Sequence, residues 1–229
     1  MARHSVGLTL SLAACAFGVA TVVGGAVLSP GRTEVVVEAG AKPTVGFAAD
    51  EMTNFLSRVL GAPVPVVAAP SGGGTVSLVL GEGALAKAAG VSVAEKSRDS
   101  FVIRTDADRV YIVGRDDPSF DLRRHVASKR SHGYLFSSER ATLFGVYDFL
   151  EQYAGVRFYF PNELGTIVPR KDEIVVPEGV RAVTPNFLVR NPYFGGDGQW
   201  FDLEGDDNWA FKSMEWLRLR MSTTDIPCC

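Results

Sequence analysis

The sequence predicts an α+β fold, in which a mixed sheet of about five or six strands carries two long helices on one face. Two segments, Thr44 to Leu60 and Ala141 to Ala154, have apolar residues at helical spacing. Short runs rich in valine, isoleucine and phenylalanine lie between and after these segments, and this composition is typical of strands. Because a helix with one apolar face must bury that face, we expect both helices to lie against the sheet.

The second helix is expected to end at Gly155, since glycine tolerates the left-handed conformation that follows a helix end. A strand is predicted after it, at Val156 to Phe160. Asp148 and Glu151 fall outside the apolar stripe, so a solvated helix face is predicted for both rather than the acid and base of a glycosidase. The predicted stripe consists of Leu143, Val146, Tyr147, Leu150 and Tyr153.

The other elements follow from similar patterns. The buried stripe of the first helix is predicted to be Val45, Ala48, Ala49, Met52, Phe55, Leu56, Val59 and Leu60. Strands are predicted at Thr33 to Glu38, Val64 to Val67, Val76 to Leu80, Phe101 to Arg104, Arg109 to Val113 and Ile174 to Val176. The continuous apolar run Val76 to Leu80 indicates a central strand, and the prolines beside Val64 to Val67 indicate an edge strand. Phe120 to Val126 fits either a loop or a short helix, and Val180 to Pro185 is expected to be a linker.

Residues 1–29 are predicted to be a targeting segment. Arg3 and His4 precede a nearly uninterrupted apolar run over residues 6–28, which has the layout of a secretory signal. The run also approaches the length of a membrane anchor. The residues before Cys15 match a lipoprotein box, with Cys15 as the lipidated residue. The pattern favours a cleaved signal over an anchor, and an anchor over a lipoprotein; each would place the domain outside the cytoplasm.

Composition excludes several classes of function. The chain is 46% hydrophobic and 21% charged with a net charge of -3, which indicates a globular domain and gives no indication of nucleic-acid binding. Three cysteines are too few for a disulfide framework.

We expect no metal site, because His125 and His132 lie in a polar loop without a rigid third ligand. We expect no cofactor either: Gly81 and Gly83 resemble a dinucleotide fingerprint, but the helix after them is too short for a βαβ unit.

One stretch carries a family resemblance. GVYDFLEQYAGVRFYFP at 145–161, with ELGTIVP at 163–169, resembles the N-terminal domain of bacterial α-glucuronidase-type glycoside hydrolases. A related accessory domain precedes the barrel of β-hexosaminidases. The resemblance extends from Thr33 to Phe187. After the targeting segment predicted at 1–29, it implies an accessory domain at 30–185 and the incomplete start of a (β/α)₈ barrel at 186–229. In that family the catalytic acids belong to the barrel, so no catalytic residue is assigned here.

The resemblance implies a non-catalytic domain of an exported glycoside hydrolase that acts on polysaccharides or glucuronosides. The expected partners are its own downstream barrel and, through the parent enzyme, carbohydrate. Arg190, Asn191, Trp200 and Asp202 are the predicted substrate contacts, since sugars stack on aromatic rings and bond to planar polar groups. The alternative is a surface-anchored carbohydrate-binding or adhesion module without an enzymatic parent. An exposed aromatic platform on the sheet would favour the module, and an apolar patch facing the barrel would favour the accessory domain.

Overall fold

The computed structural model describes residues 24–127, 138–159 and 163–186. The helices are α1 (Pro43–Leu60), α2 (Ala84–Ala88), α3 (Leu122–Ala127) and α4 (Ala141–Phe149). The strands are β1 (Gly25–Leu28), β2 (Thr33–Val36), β3 (Val66–Val67), β4 (Val76–Leu80), β5 (Phe101–Thr105), β6 (Arg109–Gly114), β7 (Arg157–Phe158), β8 (Thr166–Ile167), β9 (Ile174–Pro177) and β10 (Gly179–Val183). A π-helical turn, Leu150–Ala154, continues α4.

The predicted mixed sheet is confirmed, with six strands in the order β10-β5-β6-β4-β2-β3. Strands β3, β2, β4 and β6 are parallel, whereas β5 pairs antiparallel with both β6 and β10. Strand β4 is buried along its whole length, as its uninterrupted apolar sequence predicts. Strand β3 lies at the edge, where Pro63 and Pro65 interrupt no neighbouring ladder. Two further pairs, β1 with β9 and β7 with β8, form small antiparallel sheets.

Helices α1 and α4 cover one face of the sheet and share its larger apolar core. All eight residues of the predicted α1 stripe are buried. Helix α4 is buried on every side, in keeping with its largely apolar sequence. Its π-helical extension ends at Gly155 with φ of 79°, as the glycine predicts. The opposite face of the sheet carries a smaller apolar core, which includes Ala86 of α2 together with Val79 and Tyr111 of the sheet.

Two predicted elements differ from the structure. The linker predicted at Val180 to Pro185 is wrong, because Gly179–Val183 forms the edge strand β10 and pairs with β5 in register. The side chains of β10 are almost all exposed, so its sequence lacks the apolar signal of a strand. The strand predicted at Val156 to Phe160 is reduced to β7, which pairs with the unpredicted β8. The segment around Phe120 to Val126, left open by the sequence, contains α3.

The N-terminal boundary also needs correction. Gly25–Leu28, which the sequence groups with the targeting segment, is strand β1 of the folded domain and pairs with β9. Both inward side chains, Ala26 and Leu28, are completely buried. The strand could not be recognised in the sequence, because β1 directly continues the apolar run that precedes it. Within the described ranges, none of the helices has the length and apolar character needed to cross a membrane.

Candidate functional site

Buried acidic side chains are the strongest candidates for functional residues in this domain. Burial shifts the pKa of a carboxyl group, and shifted pKa values are common at functional sites. Among the described residues, four carboxylates are buried: Glu34, Asp99, Asp116 and Asp148. Asp116 follows β6 at the carboxyl edge of the parallel strands, which is where open α/β sheets bind ligands. Asp116 is therefore the strongest candidate for a functional acid.

The side chain of Asp116 joins the end of β6 to the start of α4. Its Oδ1 accepts a hydrogen bond from the Thr142 amide at 3.0 Å, and its Oδ2 accepts one from Thr142 Oγ1 at 2.6 Å. Thr142 Oγ1 in turn accepts from the Gly114 amide at 3.0 Å. Arg140, which precedes α4, makes no side-chain cap, so Asp116 supplies the capping interaction from a distant part of the chain.

The surroundings of Asp116 set its protonation. Burial raises the pKa of Asp116 to about 6, an effect that the Thr142 hydrogen bonds and the charge of Lys42 oppose and that Glu139 increases. Lys42 Nζ also donates to the Asp116 main-chain carbonyl at 2.8 Å. Such a pKa suits an acid–base catalyst. However, both carboxylate oxygens are bound within the fold and the residue is 4% exposed, so the group does not face a substrate.

The prediction that Asp148 lies on a solvated helix face is wrong. This residue is buried, and its carboxylate accepts two hydrogen bonds from Arg181 of β10, at 2.6 Å from Nε and 2.9 Å from Nη2. The same hydrogen bonds raise the pKa of the Arg181 guanidinium. Glu151 is only partly buried and lies in the π-helical turn. Asp148 thus links helix α4 to the edge strand β10. This role is structural and is not that of a glycosidase acid.

The two glutamates near β2 are also engaged by the fold. Glu34 accepts hydrogen bonds from the Ser71 amide, from Ser71 Oγ and from Ser77 Oγ, at 2.6–2.8 Å. Burial raises the pKa of Glu34, but these hydrogen bonds outweigh it and the pKa lies below its usual value. Glu38 accepts from the Leu85 amide, the first turn of α2.

The Glu38 contact bears on the glycine pattern that resembles a dinucleotide fingerprint. A Cβ on Gly83 would lie 1.9 Å from Glu38 Oε2, so this glycine makes room for the carboxylate. The Glu38 carboxylate occupies the helix end that a cofactor phosphate takes in dinucleotide-binding folds. A second anion there would be repelled. The geometry therefore explains Gly83 without a nucleotide.

The remaining sites predicted from the sequence are untested. Cys15 and the predicted substrate contacts Arg190, Asn191, Trp200 and Asp202 lie outside the described residues. The same holds for His132 and for the side chain of His125. Across residues 24–127, 138–159 and 163–186, no group of three histidine, cysteine or acidic side chains is placed to hold a metal ion.

Sequence reasoning missed the two most informative contacts, Asp116 with Thr142 and Asp148 with Arg181. Each pairs residues that are 26 or more positions apart. Local patterns reveal a capping residue only when it directly precedes its helix. Asp116 instead reaches α4 because it forms an antiparallel β-bridge with Arg140, the residue directly before the helix.

Comparisons with known proteins add weak structural likenesses. No protein-family model and no curated protein matches the chain. A solved 4-O-methyl-α-glucuronidase of glycoside hydrolase family 115, specific for decorated arabinogalactans, is similar at 14% identity and a TM-score of 0.43; the match covers 69% of this chain and 18% of that one. The family 20 β-N-acetylhexosaminidase of Streptomyces coelicolor is similar at 16% identity and a TM-score of 0.44, covering 74% of this chain and 25% of that one.

The N-acetyl-β-hexosaminidase of Streptomyces plicatus is similar at 15% identity, with a TM-score of 0.43 and the same coverage of 74% and 25%. This chain spans a quarter or less of the length of each of these glycoside hydrolases. At TM-scores below 0.5, the likenesses establish neither an activity nor a substrate for this chain.

Proposed function

We propose that the folded part of this chain is a non-catalytic accessory domain of an exported glycoside hydrolase that acts on polysaccharide or glucuronoside substrates. The glycosidic bond would be cleaved by two carboxylates on a barrel that follows the domain. The accessory domain would support that barrel rather than contact the scissile bond.

The observation that carries this proposal is the state of three of the four buried carboxylates of the described chain. Asp116 caps α4, Asp148 holds Arg181, and Glu34 binds Ser71. A glycosidase needs two carboxyl groups that face each other across a sugar. Because these three carboxylates are already bound by the fold itself, recruiting them for hydrolysis would dismantle the contacts that hold the helices and strands together.

The stretch that carries the family resemblance is also structural. A Cβ on Gly145 would lie 2.7 Å from Ile112 Cγ2, so this glycine allows α4 to approach β6 closely. Tyr147 Oη donates to Glu51 Oε2 at 2.6 Å and thereby joins α4 to α1. The Phe158 ring packs edge-on against Phe55, with ring centroids 5.2 Å apart. The residues that carry the family resemblance therefore hold the domain together. This supports an accessory domain, whose parent enzyme would carry out its reaction on another domain.

The exposed apolar residues favour the accessory domain over the carbohydrate-binding module. Tyr159, Leu164 and Ile167 are 66%, 87% and 51% exposed. Ile167 belongs to β8, Tyr159 directly follows β7, and Leu164 lies in the helical turn just before β8. On the main sheet the large exposed apolar residues of the described chain are Val66 and Val180, which are aliphatic and offer no ring on which a sugar can stack. Exposed apolar side chains in and beside this small sheet are suited to packing against another protein domain.

The proposal is tested by assaying the full chain on aryl α-glucuronides and aryl N-acetyl-β-hexosaminides. We expect no turnover above that of a buffer blank. Turnover that disappears in Asp116→Asn or Asp148→Asn, but persists in the control Asp50→Asn on the exposed side of α1, would refute the non-catalytic role. Polysaccharide binding that is lost in Tyr159→Ala would instead support the carbohydrate-binding module.

A further inference from the structure

The edge strand β10 is attached to the domain by little apolar contact of its own. It forms one edge of the six-stranded sheet and pairs along its whole length with β5. Four of its five residues are exposed, and Val180 is 68% exposed. Segments that bury few apolar side chains open at a lower free-energy cost than the core of a domain. The attachment of β10 therefore depends on its backbone ladder and on its polar contacts.

Arg181, in the middle of β10, makes the polar contact that reaches beyond the sheet. It lies directly opposite Ile103, a residue of the larger core, so its side chain is on the face that the helices cover. Its Nε and Nη2 donate to the two carboxylate oxygens of Asp148 at 2.6 and 2.9 Å. Both hydrogen bonds are charge-assisted, and a bidentate pair of this kind is among the strong polar contacts in proteins.

The two side chains of this ion pair differ in exposure. The Asp148 side chain is 6% exposed, whereas that of Arg181 is 42% exposed. Because its acidic end is shielded from solvent, the pair is screened less than a pair on the open surface. Among the described residues, Asp148 accepts side-chain hydrogen bonds from Arg181 alone. Moving β10 away from the sheet would therefore break both charge-assisted hydrogen bonds at once.

The two ends of β10 are held differently. Before the strand, the Glu178 amide donates to the Gly24 carbonyl at 2.9 Å, and the preceding residues form β9 of another sheet. After the strand, Thr184 Oγ1 shares a neutral hydrogen bond of 3.1 Å with Ser100 Oγ. The C-terminal end is thus the weaker one. An opening that starts there reaches Arg181 as its next polar attachment.

We propose that the Asp148–Arg181 ion pair locks a detachable edge strand. With the pair formed, β10 stays in register with β5, and the chain that follows Val183 is fixed to the helix layer. With the pair broken, β10 separates from β5 while the rest of the sheet stays folded. The ion pair thereby sets how firmly the part of the chain after β10 is held to this domain. This conformational device is independent of the proposed function.

Native-state hydrogen exchange of the full chain, measured for individual amides by NMR, tests the proposal. In the wild type, the β10 amides that bond to β5 should exchange through a local opening, so low concentrations of urea should hardly change their rate. The amides of the central strand β4 should instead exchange through global unfolding, which urea accelerates strongly.

Two variants weaken the ion pair. Asp148→Asn removes the charge of the acceptor and leaves one oxygen to accept. The β10 amides should then exchange about ten- to a hundredfold faster, because opening no longer breaks two hydrogen bonds between charged groups. Arg181→Lys keeps the charge but loses the two parallel hydrogen bonds, and exchange of β10 should rise there as well. The half-exposed position of Arg181 tolerates lysine, so the test does not depend on Asp148→Asn alone.

The matched control is Asp106→Asn. Asp106 pairs with Arg104 of β5 at 3.1 Å, and β10 takes no part in that ion pair, so its amides should exchange at the wild-type rate. Exchange of the wild-type β10 amides only through global unfolding, as in β4, would show that the strand does not detach. Local exchange of β10 that stays unchanged in both Asp148→Asn and Arg181→Lys would show that the ion pair does not hold it. Either result would overturn the proposal.

Discussion

Replacing Asp116 with asparagine should change how the stability of the domain depends on pH. The amide has the shape of the carboxyl group and cannot ionise. Its oxygen can accept from the Thr142 amide, as Oδ1 of Asp116 does at 3.0 Å, and its NH₂ can donate to Thr142 Oγ1. The variant therefore resembles the protonated form of the wild-type side chain and should keep the cap of α4.

The size of the effect follows from the two pKa values of Asp116. Its pKa is about 6 in the folded protein because burial disfavours the charged form, against an ordinary value of 3.8. Between these values the folded state binds more protons than the unfolded state, so the free energy of unfolding falls as the pH rises. The contribution is fully present below about pH 3.8 and is lost as the pH passes about 6, which amounts to about 3 kcal/mol.

The assay is urea-induced unfolding of the full chain between pH 4 and pH 7.5. Wild type and Asp116→Asn should be similarly stable at pH 4, and the variant should be more stable at pH 7.5 by up to about 3 kcal/mol. The control Asp50→Asn removes a half-exposed surface ion pair with Arg123, so it should change the free energy of unfolding by no more than about 1 kcal/mol. A constant difference between wild type and Asp116→Asn at every pH would refute the argument from burial.

Two further predictions concern α4 and its extension. Leu150→Ala should cost about 2–5 kcal/mol of unfolding free energy, since the leucine is completely buried. Gly145→Ala should destabilise the protein by about 1–3 kcal/mol through overpacking against β6, although alanine is the better helix former. Gly46→Ala on α1 should cost less than Gly145→Ala, because its Cβ would meet only the guanidinium of Arg123, which is the end of a long surface side chain and can shift more easily than the packed core.

These helix variants are measured by thermal and urea unfolding of the full chain. A loss below about 0.5 kcal/mol for Leu150→Ala would be typical of a surface position and would contradict the burial of this residue. Equal effects of the two glycine substitutions would show that helix propensity outweighs the approach of α4 to the sheet.

Much of the architecture could be predicted from the sequence because its signals are local. The stripe of α1 repeats at helical spacing, and every predicted member of it is buried. Val76–Leu80 is apolar at each position, which is the pattern of a strand covered on both faces. Gly155 ends the helical segment where a glycine is expected. In each case the pattern of residues close together in the sequence determines the element, and contacts with distant parts of the chain are not needed to recognise it.

The tertiary structure alone decided the elements whose partners are far away in the chain. Strand β10 exposes most of its side chains and is recognisable only through its ladder with β5. Asp148 was predicted to face water because helical periodicity gives the direction of a side chain but not what covers it, and here Arg181 of β10 closes over it. Gly25–Leu28 continues an apolar run, and only its pairing with β9 assigns it to the folded domain. Periodicity describes one element at a time, whereas pairing and burial depend on where distant parts of the chain meet.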